Sequence, residues 1–124
     1  MKFDSNLEKK LYAEMKSCTY HPAERISYII PKMYEPDFCY NNAGWMTYIE
    51  AKGRFRTREE ARKYVEVRKV LSKYEDLVFI FQNPNTPMPG SRRRKDGSRY
   101  RMRDWADKNG FDWYTPSTLP KEWL

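Results

Sequence analysis

The spacing of apolar residues along the chain predicts three helices. Apolar side chains recur every four positions from residue 7 to residue 15, behind Ser5 and Glu8 in the spacing of a helix N-terminal capping box. A second pair with capping-box spacing, Thr57 and Glu60, opens the next apolar stripe, and Gly110 closes the last one as a C-cap. The predicted helices span residues 5–18, 57–74 and 100–109.

Runs rich in β-branched and aromatic residues predict four strands. Residues 25–30 form one, which Pro31 stops. Two more flank turn-forming residues as a hairpin, and a continuous apolar run has the form of a strand buried on both faces. These last three strands span residues 36–40, 45–52 and 77–81. The order of elements predicts one α/β domain over residues 1–124, with a small central mixed β-sheet flanked by helices.

Composition narrows the class of protein. With 124 residues and 15.1 kDa, the chain can bury one core. It has no apolar run of about eighteen residues and no secretory signal at its start, so we expect no membrane contact. Two cysteines and one histidine cannot form a disulfide scaffold or a four-ligand zinc site. The net charge of +7 indicates a polyanionic partner, of which nucleic acid is the commonest.

The predicted hairpin brings two acidic residues together. If the turn pairs Asn41 with Met46, each step back along one arm is a step forward along the other, and Asp37 lies opposite Glu50. Opposite residues share a face of the sheet, with Cβ atoms about 4.5–5.5 Å apart. Lys52 lies two residues beyond Glu50 and therefore shares that face too.

Two carboxylates this close repel each other unless a cation lies between them. Mg²⁺ prefers oxygen ligands, so Asp37, Glu50 and the carbonyl of Ala51 form a candidate magnesium site. Lys52 is then placed to orient or deprotonate an attacking water, or to balance charge on a phosphate. The alternative is an exposed Glu and Lys beside a turn aspartate. The preceding Pro36 and the apolar strands favour a metal-dependent nuclease.

Basic residues concentrate near the C-terminal end. Residues 88–109 hold eight Lys or Arg and three Asp or Glu, a net charge of +5. We expect this loop to be solvated and disordered in the free protein and to contact phosphates when DNA binds. A second group flanks the candidate site, although an ordinary helix-surface role is an alternative for its last member. The candidate DNA-binding residues are Arg54, Arg56, Arg58, Arg62, Arg92, Arg93, Arg94 and Lys95.

The pair Pro36-Asp37 followed by Glu50-Ala51-Lys52 resembles the PD-(D/E)xK nuclease motif. Its ordered context is similar to that of the phage endonuclease I family of Holliday-junction resolvases. The resemblance covers nearly the whole chain. Its pieces are residues 7–8, 34–38, 49–53, 62–63, 79–81, 105–110 and 119–123.

The resemblance implies a PD-(D/E)xK nuclease-like fold, a domain-swapped homodimer, and hydrolysis of phosphodiester bonds in branched DNA such as four-way junctions. It implies that Asp37, Glu50 and Glu8 bind Mg²⁺, with Mn²⁺ as a substitute, and that Lys52 is the catalytic lysine. From the residues alone, Glu8 is equally well a capping-box glutamate. We expect a cytoplasmic protein, in the host cell cytoplasm if it is phage-encoded.

Two other functions fit the same residues. One is a nuclease of the same superfamily with another DNA substrate, of nicking or restriction type. The other is a non-catalytic basic DNA-binding module, which has no use for two carboxylates and a lysine in register and which binds DNA equally well without divalent metal.

Overall fold

A computed structural model describes residues 2–124. The chain forms two compact units, Met1–Lys32 and Met33–Leu124. The boundary falls in the short Pro31–Met33 connection.

The first unit contains one helix, α1 (Asn6–Glu14). Ser5 caps it by accepting a hydrogen bond from the amide of Glu8 at 3.1 Å. The predicted end at residue 18 is wrong, because the helix stops before a run of Ser, Cys and Thr, which are weak helix formers. The predicted strand at residues 25–30 is also absent, and these residues have no regular secondary structure and are exposed. β-propensity makes a strand only where a partner strand pairs with it.

The second unit contains a four-stranded sheet in the order β1-β2-β3-β4. The antiparallel hairpin is β1 (Phe38–Asn42) and β2 (Trp45–Lys52), and β3 (Glu75–Phe81) runs parallel to β2. A two-residue strand that the sequence did not indicate, β4 (Trp113–Tyr114), pairs in parallel with β3. The sheet is therefore mixed and the unit is α/β, as predicted.

Two helices and a 3₁₀ turn complete this unit: α2 (Arg58–Lys69), α3 (Met102–Lys108) and Lys121–Trp123. The predicted end of α2 at residue 74 is wrong, because Glu75 accepts a hydrogen bond from the amide of Ser72 at 2.9 Å and holds that segment in a turn. No helix within residues 2–124 has the length and apolar character needed to cross a membrane.

One face of β3 forms the centre of the core. Leu77, Phe79 and Phe81 are fully buried there and pack with aromatic residues from the helices, including Tyr64 and Trp105. The parallel register places Glu50 beside Phe79, so the Glu50 side chain lies on this same core-facing side of the sheet. The candidate site is therefore at the margin of the core, where packing limits side-chain motion.

Candidate active site

The predicted hairpin register is confirmed. Asn41 pairs with Met46, and the last regular pair is Phe38 with Ile49. Asp37 precedes the first residue of β1, so continuation of the register places it beside Glu50. The turn residues determine this register: Ala43 and Gly44 both have positive φ, and Asn41 accepts a hydrogen bond from the amide of Gly44 at 3.2 Å.

Asp37 is attached to the end of β2. Its Oδ2 accepts a hydrogen bond from the amide of Ala51 at 2.9 Å. The carbonyl of Lys52 accepts from the amide of Gln82, on the β3 side of the strand. Because backbone groups alternate in direction along a strand, the Ala51 carbonyl lies on the opposite side, the one that carries Asp37. Both predicted oxygen donors therefore lie at the same edge of β2.

Glu50 is a charged side chain in a buried position, only 6% exposed. The hydroxyl of Tyr34 donates a hydrogen bond of 2.5 Å to its Oε1. Burial raises the pKa of the Glu50 carboxyl, and the neighbouring Asp37 adds to that rise, while Tyr34 and Lys52 oppose it. Asp37 therefore lies close enough to disfavour the ionisation of Glu50.

Lys52 lies between two carboxylates. Its Nζ is 2.7 Å from Oε1 of Glu60 and 3.6 Å from Oε2 of Glu50. Burial alone lowers the pKa of the Lys52 ammonium, but the contacts with Glu60, Tyr64 and Glu50 outweigh burial and raise it. Of the roles that the sequence leaves open for Lys52, this environment favours a permanent cation over a base that deprotonates water.

Glu60 holds Lys52 from the first turn of α2. Its amide donates to Oγ1 of the N-cap residue Thr57 at 3.0 Å, as the capping-box spacing predicts. Its carboxylate does not complete the box. Oε2 instead accepts from the amide of Arg56 at 2.8 Å, and Oε1 faces Lys52. The N-terminus of α2 thereby fixes the direction of the Lys52 side chain.

Tyr34 and Glu60 are the site residues that sequence reasoning did not assign. Tyr34 lies three residues before Asp37, and Glu60 occupies the position of the glutamate in a helix capping box. The signal for Tyr34 was weak, since nothing in its spacing shows that its hydroxyl reaches Glu50. The signal for Glu60 was ambiguous, because Thr-x-x-Glu alone predicts a helix start.

Glu8 belongs to the first unit. Its carboxylate accepts a hydrogen bond from the hydroxyl of Tyr20 at 3.2 Å, and Nε2 of His21 lies 3.8 Å away. Asp4, Glu8 and His21 form a largely exposed cluster of a kind that surfaces commonly carry without an ion. The amide of Glu8 bonds to Ser5 Oγ, but the described hydrogen bonds of the Glu8 carboxylate do not include one from the Ser5 amide. Its predicted role as a metal ligand stays a prediction.

The predicted DNA-binding residues fall into two groups in the structure. Arg54, Arg56 and Arg62 are exposed beside the site and on α2. Arg58 donates hydrogen bonds to backbone carbonyls of the loop that precedes the basic run. The basic run itself, residues 91–99, is termed the basic arm below and carries Arg92, Arg93, Arg94 and Lys95.

The basic arm is folded back on itself, unlike the disordered loop expected from its charge. The amide of Arg94 donates to the carbonyl of Ser98 at 2.7 Å, and Asp96 accepts from the amide of Ser98 at 2.9 Å. Gly97 has a φ of +87°, which completes this turn. Local turn chemistry therefore orders the arm even though most of its side chains are basic.

The donor set fits a hard divalent cation. Asp37, Glu50 and the Ala51 carbonyl offer oxygen atoms, the ligand type that Mg²⁺ and Mn²⁺ prefer. Burial raises the pKa of the Glu50 carboxyl, and the nearby Asp37 adds to the rise although Lys52 opposes it. These residues could therefore hold a metal, and doing so would remove an existing repulsion.

No model of a known protein family matches this chain, and a search of the curated proteins finds no match.

Glu50→Gln is expected to stabilise the protein at neutral pH in a chelating buffer. A pKa raised by folding means that the folded chain binds the proton more tightly than the unfolded chain does. Stability is therefore lost as pH rises through the raised pKa of Glu50, and glutamine removes that loss. Thermal unfolding at pH 7.5 should show a midpoint higher by a few degrees.

The gain should disappear near pH 4, where Glu50 in the natural protein is protonated. Glu35→Gln, which changes an exposed acidic residue two positions before Asp37, serves as the control and should leave the midpoint unchanged. A lower midpoint for Glu50→Gln at pH 7.5 would contradict the prediction.

Proposed function

We propose that this protein is a metal-dependent DNA endonuclease that cuts branched DNA, with four-way junctions as the preferred substrate. The observation that supports it most is the convergence at the end of β2. Asp37 is bonded to the Ala51 amide, Glu50 is buried beside it, and Lys52 is held as a cation 3.6 Å from Glu50. A buried carboxylate beside a second acidic group costs stability, and a catalytic role explains why Glu50 is retained there.

The residues divide the chemistry between them. Asp37, Glu50 and the Ala51 carbonyl would bind Mg²⁺, which would polarise the scissile phosphate and stabilise the leaving oxygen. Lys52, kept protonated by Glu60, would orient the attacking water and balance charge that develops on the phosphate. Tyr34 restrains the Glu50 carboxylate, so the oxygen donors are fixed before substrate arrives.

The choice of branched DNA and of a PD-(D/E)xK nuclease-like fold rests on the ordered set of matching stretches along the sequence. A homodimer follows from the chemistry, because resolving a junction takes two nicks on opposed strands and each chain offers one site. Exposed apolar residues support a partner surface. Ile26, Ile29 and Met33 are 91%, 92% and 98% exposed in the single chain.

The deciding experiment compares a four-way junction with a linear duplex of matched sequence, each with Mg²⁺, Ca²⁺ or a chelator. We expect cutting of the junction with Mg²⁺ and binding without cutting under the other conditions. Equal cutting of both DNAs would indicate a nuclease with another substrate. Binding that is the same with and without metal, and no cutting under any condition, would indicate a non-catalytic basic module.

Replacing Arg92, Arg93 and Arg94 together by alanine is expected to weaken binding to every DNA sequence and to flatten its salt dependence. Each lost phosphate contact should lower the slope of log K against log salt by about 0.9. The measurement is a binding titration at four salt concentrations. An unchanged slope would mean that these side chains remain in solvent when DNA binds.

A further inference from the structure

We propose that Arg58 is a positioning residue that clamps the base of the basic arm onto the first turn of α2, and not a phosphate contact. What the arm does once positioned rests on the proposed function, but the clamp itself is a property of the folded chain. Its evidence is the set of contacts around the Arg58 guanidinium.

The guanidinium faces the protein backbone. Its Nη2 donates to the carbonyl of Gly90 at 2.8 Å, and its Nε donates to the carbonyl of Pro89 at 3.4 Å. Two donors of one planar group thus engage two successive carbonyls, which is the fork geometry that distinguishes arginine from lysine. A guanidinium committed in this way has fewer donors to offer a phosphate.

Gly90 is shaped to receive this side chain. Its φ of +71° lies in the left-handed region that favours glycine. A Cβ added there would lie 2.8 Å from Nε and Nη2 of Arg58, closer than real Cβ atoms approach other groups. The obstacle is the far end of a flexible side chain, so an alanine would displace the guanidinium. The positive φ adds backbone strain, which a second glycine of similar φ controls for.

The two limbs of the arm, the segments that lead into it and out of it, are joined at their base. The amide of Met88 donates to the carbonyl of Tyr100 at 2.8 Å, and Pro87 and Arg101 form an antiparallel bridge. Arg101 is itself held by Asp104 at the start of α3, with Nε 3.0 Å from Oδ2. One limb therefore continues into α3, and Arg58 attaches the other limb to α2. Releasing the clamp would free one side of the arm only.

The clamp links the arm to the candidate site. Arg58 and Glu60 both belong to the first turn of α2, and Glu60 holds the ammonium of Lys52. A phosphate bound by the arm would then lie at a fixed distance from Lys52. Attachment of the arm before DNA binds also removes part of the ordering cost from the binding step.

The test uses variants that separate charge from geometry. Arg58→Lys keeps the positive charge and loses the fork, whereas Gly90→Ala keeps every charge and displaces the guanidinium. Gly110→Ala is the matched glycine control, because Gly110 has nearly the same positive φ, +73°, and an added Cβ would lie at an ordinary 3.6 Å from Nη1 of Arg68. Arg54→Lys is the matched arginine control on an exposed neighbour.

The first readout is limited trypsin cleavage within residues 92–95, which needs neither DNA nor metal. We expect Arg58→Lys and Gly90→Ala each to raise its rate about tenfold, since loss of an anchor lowers the free energy of local opening. The double variant should match the single ones, because both remove the same contact. Trypsin should cleave both control variants at the rate of the natural protein. Cleavage at that same rate in both test variants, or additive effects in the double variant, would overturn the clamp.

The second readout is the salt dependence of binding to a four-way junction in chelator. We expect Arg58→Ala, Arg58→Lys and Gly90→Ala to weaken binding severalfold while the log–log slope stays that of the natural protein. If Arg58 instead contacts a phosphate, Arg58→Ala should lower the slope by about 0.9 and Gly90→Ala should leave affinity unchanged. A chain that never cuts DNA would defeat the proposed nuclease activity, and the trypsin result would still decide the clamp.

Discussion

Asp37→Asn, Glu50→Gln and Lys52→Ala are each expected to lower the rate of junction cutting by at least about a hundredfold while leaving junction affinity nearly unchanged. Asp37 and Glu50 supply the carboxylate donors at the end of β2, and Lys52 supplies the fixed positive charge beside them. Under the proposed mechanism, each replacement removes a group that acts on the reacting phosphate. Affinity, in contrast, is expected to come mainly from Lys and Arg contacts with the DNA backbone.

Single-turnover cutting and equilibrium binding, measured on the same preparations, test both halves of this expectation. Glu35→Gln changes an exposed carboxylate two residues before Asp37 and should cut at the natural rate. Near-normal cutting by any of the three site variants, with its fold confirmed by circular dichroism, would contradict the assignment. A large loss of affinity alongside the loss of cutting would mean that the residue maintains the fold of the site.

The part of the site that could be predicted is the part fixed by local geometry. The Asn41 to Gly44 turn sets the hairpin register, and a strand's two-residue period then places Asp37, Glu50 and Lys52 on one face of the sheet. The apolar run of β3 predicts a strand without any tertiary information, because its residues suit burial on both faces. Turn residues, strand periodicity and apolar pattern all indicate the same structure here, so the sequence alone predicts it.

The remainder depends on contacts between residues that are distant in sequence. The hydroxyl of Tyr34 reaches Glu50 across sixteen residues, and Arg58 reaches Gly90 across thirty-two. No spacing rule signals such pairs. For residues 25–30 the sequence predicted a strand that does not form. Their β-propensity is high, but no described strand of the chain pairs with them. Because this segment is unpaired, its apolar residues are exposed, and a second chain could cover them.

A mixture of Glu8→Gln and Glu50→Gln chains is expected to recover cutting that neither variant shows alone. The proposed exchange of residues 1–32 between two chains would bring Glu8 of one chain to Asp37 and Glu50 of the other. The exposed Ile26 and Ile29 support an exchange, since pairing with a second chain would bury them. The short connection ending at Met33 also disfavours folding back within one chain.

The heterodimer then has one site with both carboxylates intact and one site with both replaced. We therefore expect it to nick the junction on one strand without completing the paired cut. The two chains are best co-expressed with different affinity tags, because an exchanged dimer reassembles slowly once formed. Light scattering should give twice the 15.1 kDa chain mass at micromolar concentration.

The possible results separate assembly from exchange. In a dimer without exchange, each site of the mixed pair would carry one replaced carboxylate, so no cutting would return. A dimeric mass without recovered nicking would therefore contradict the exchange alone. A monomer that cuts junctions would contradict the dimer as well, because its two nicks would have to come from two separate encounters. Full paired resolution by the mixture would also contradict the exchange, since only one composite site can be intact.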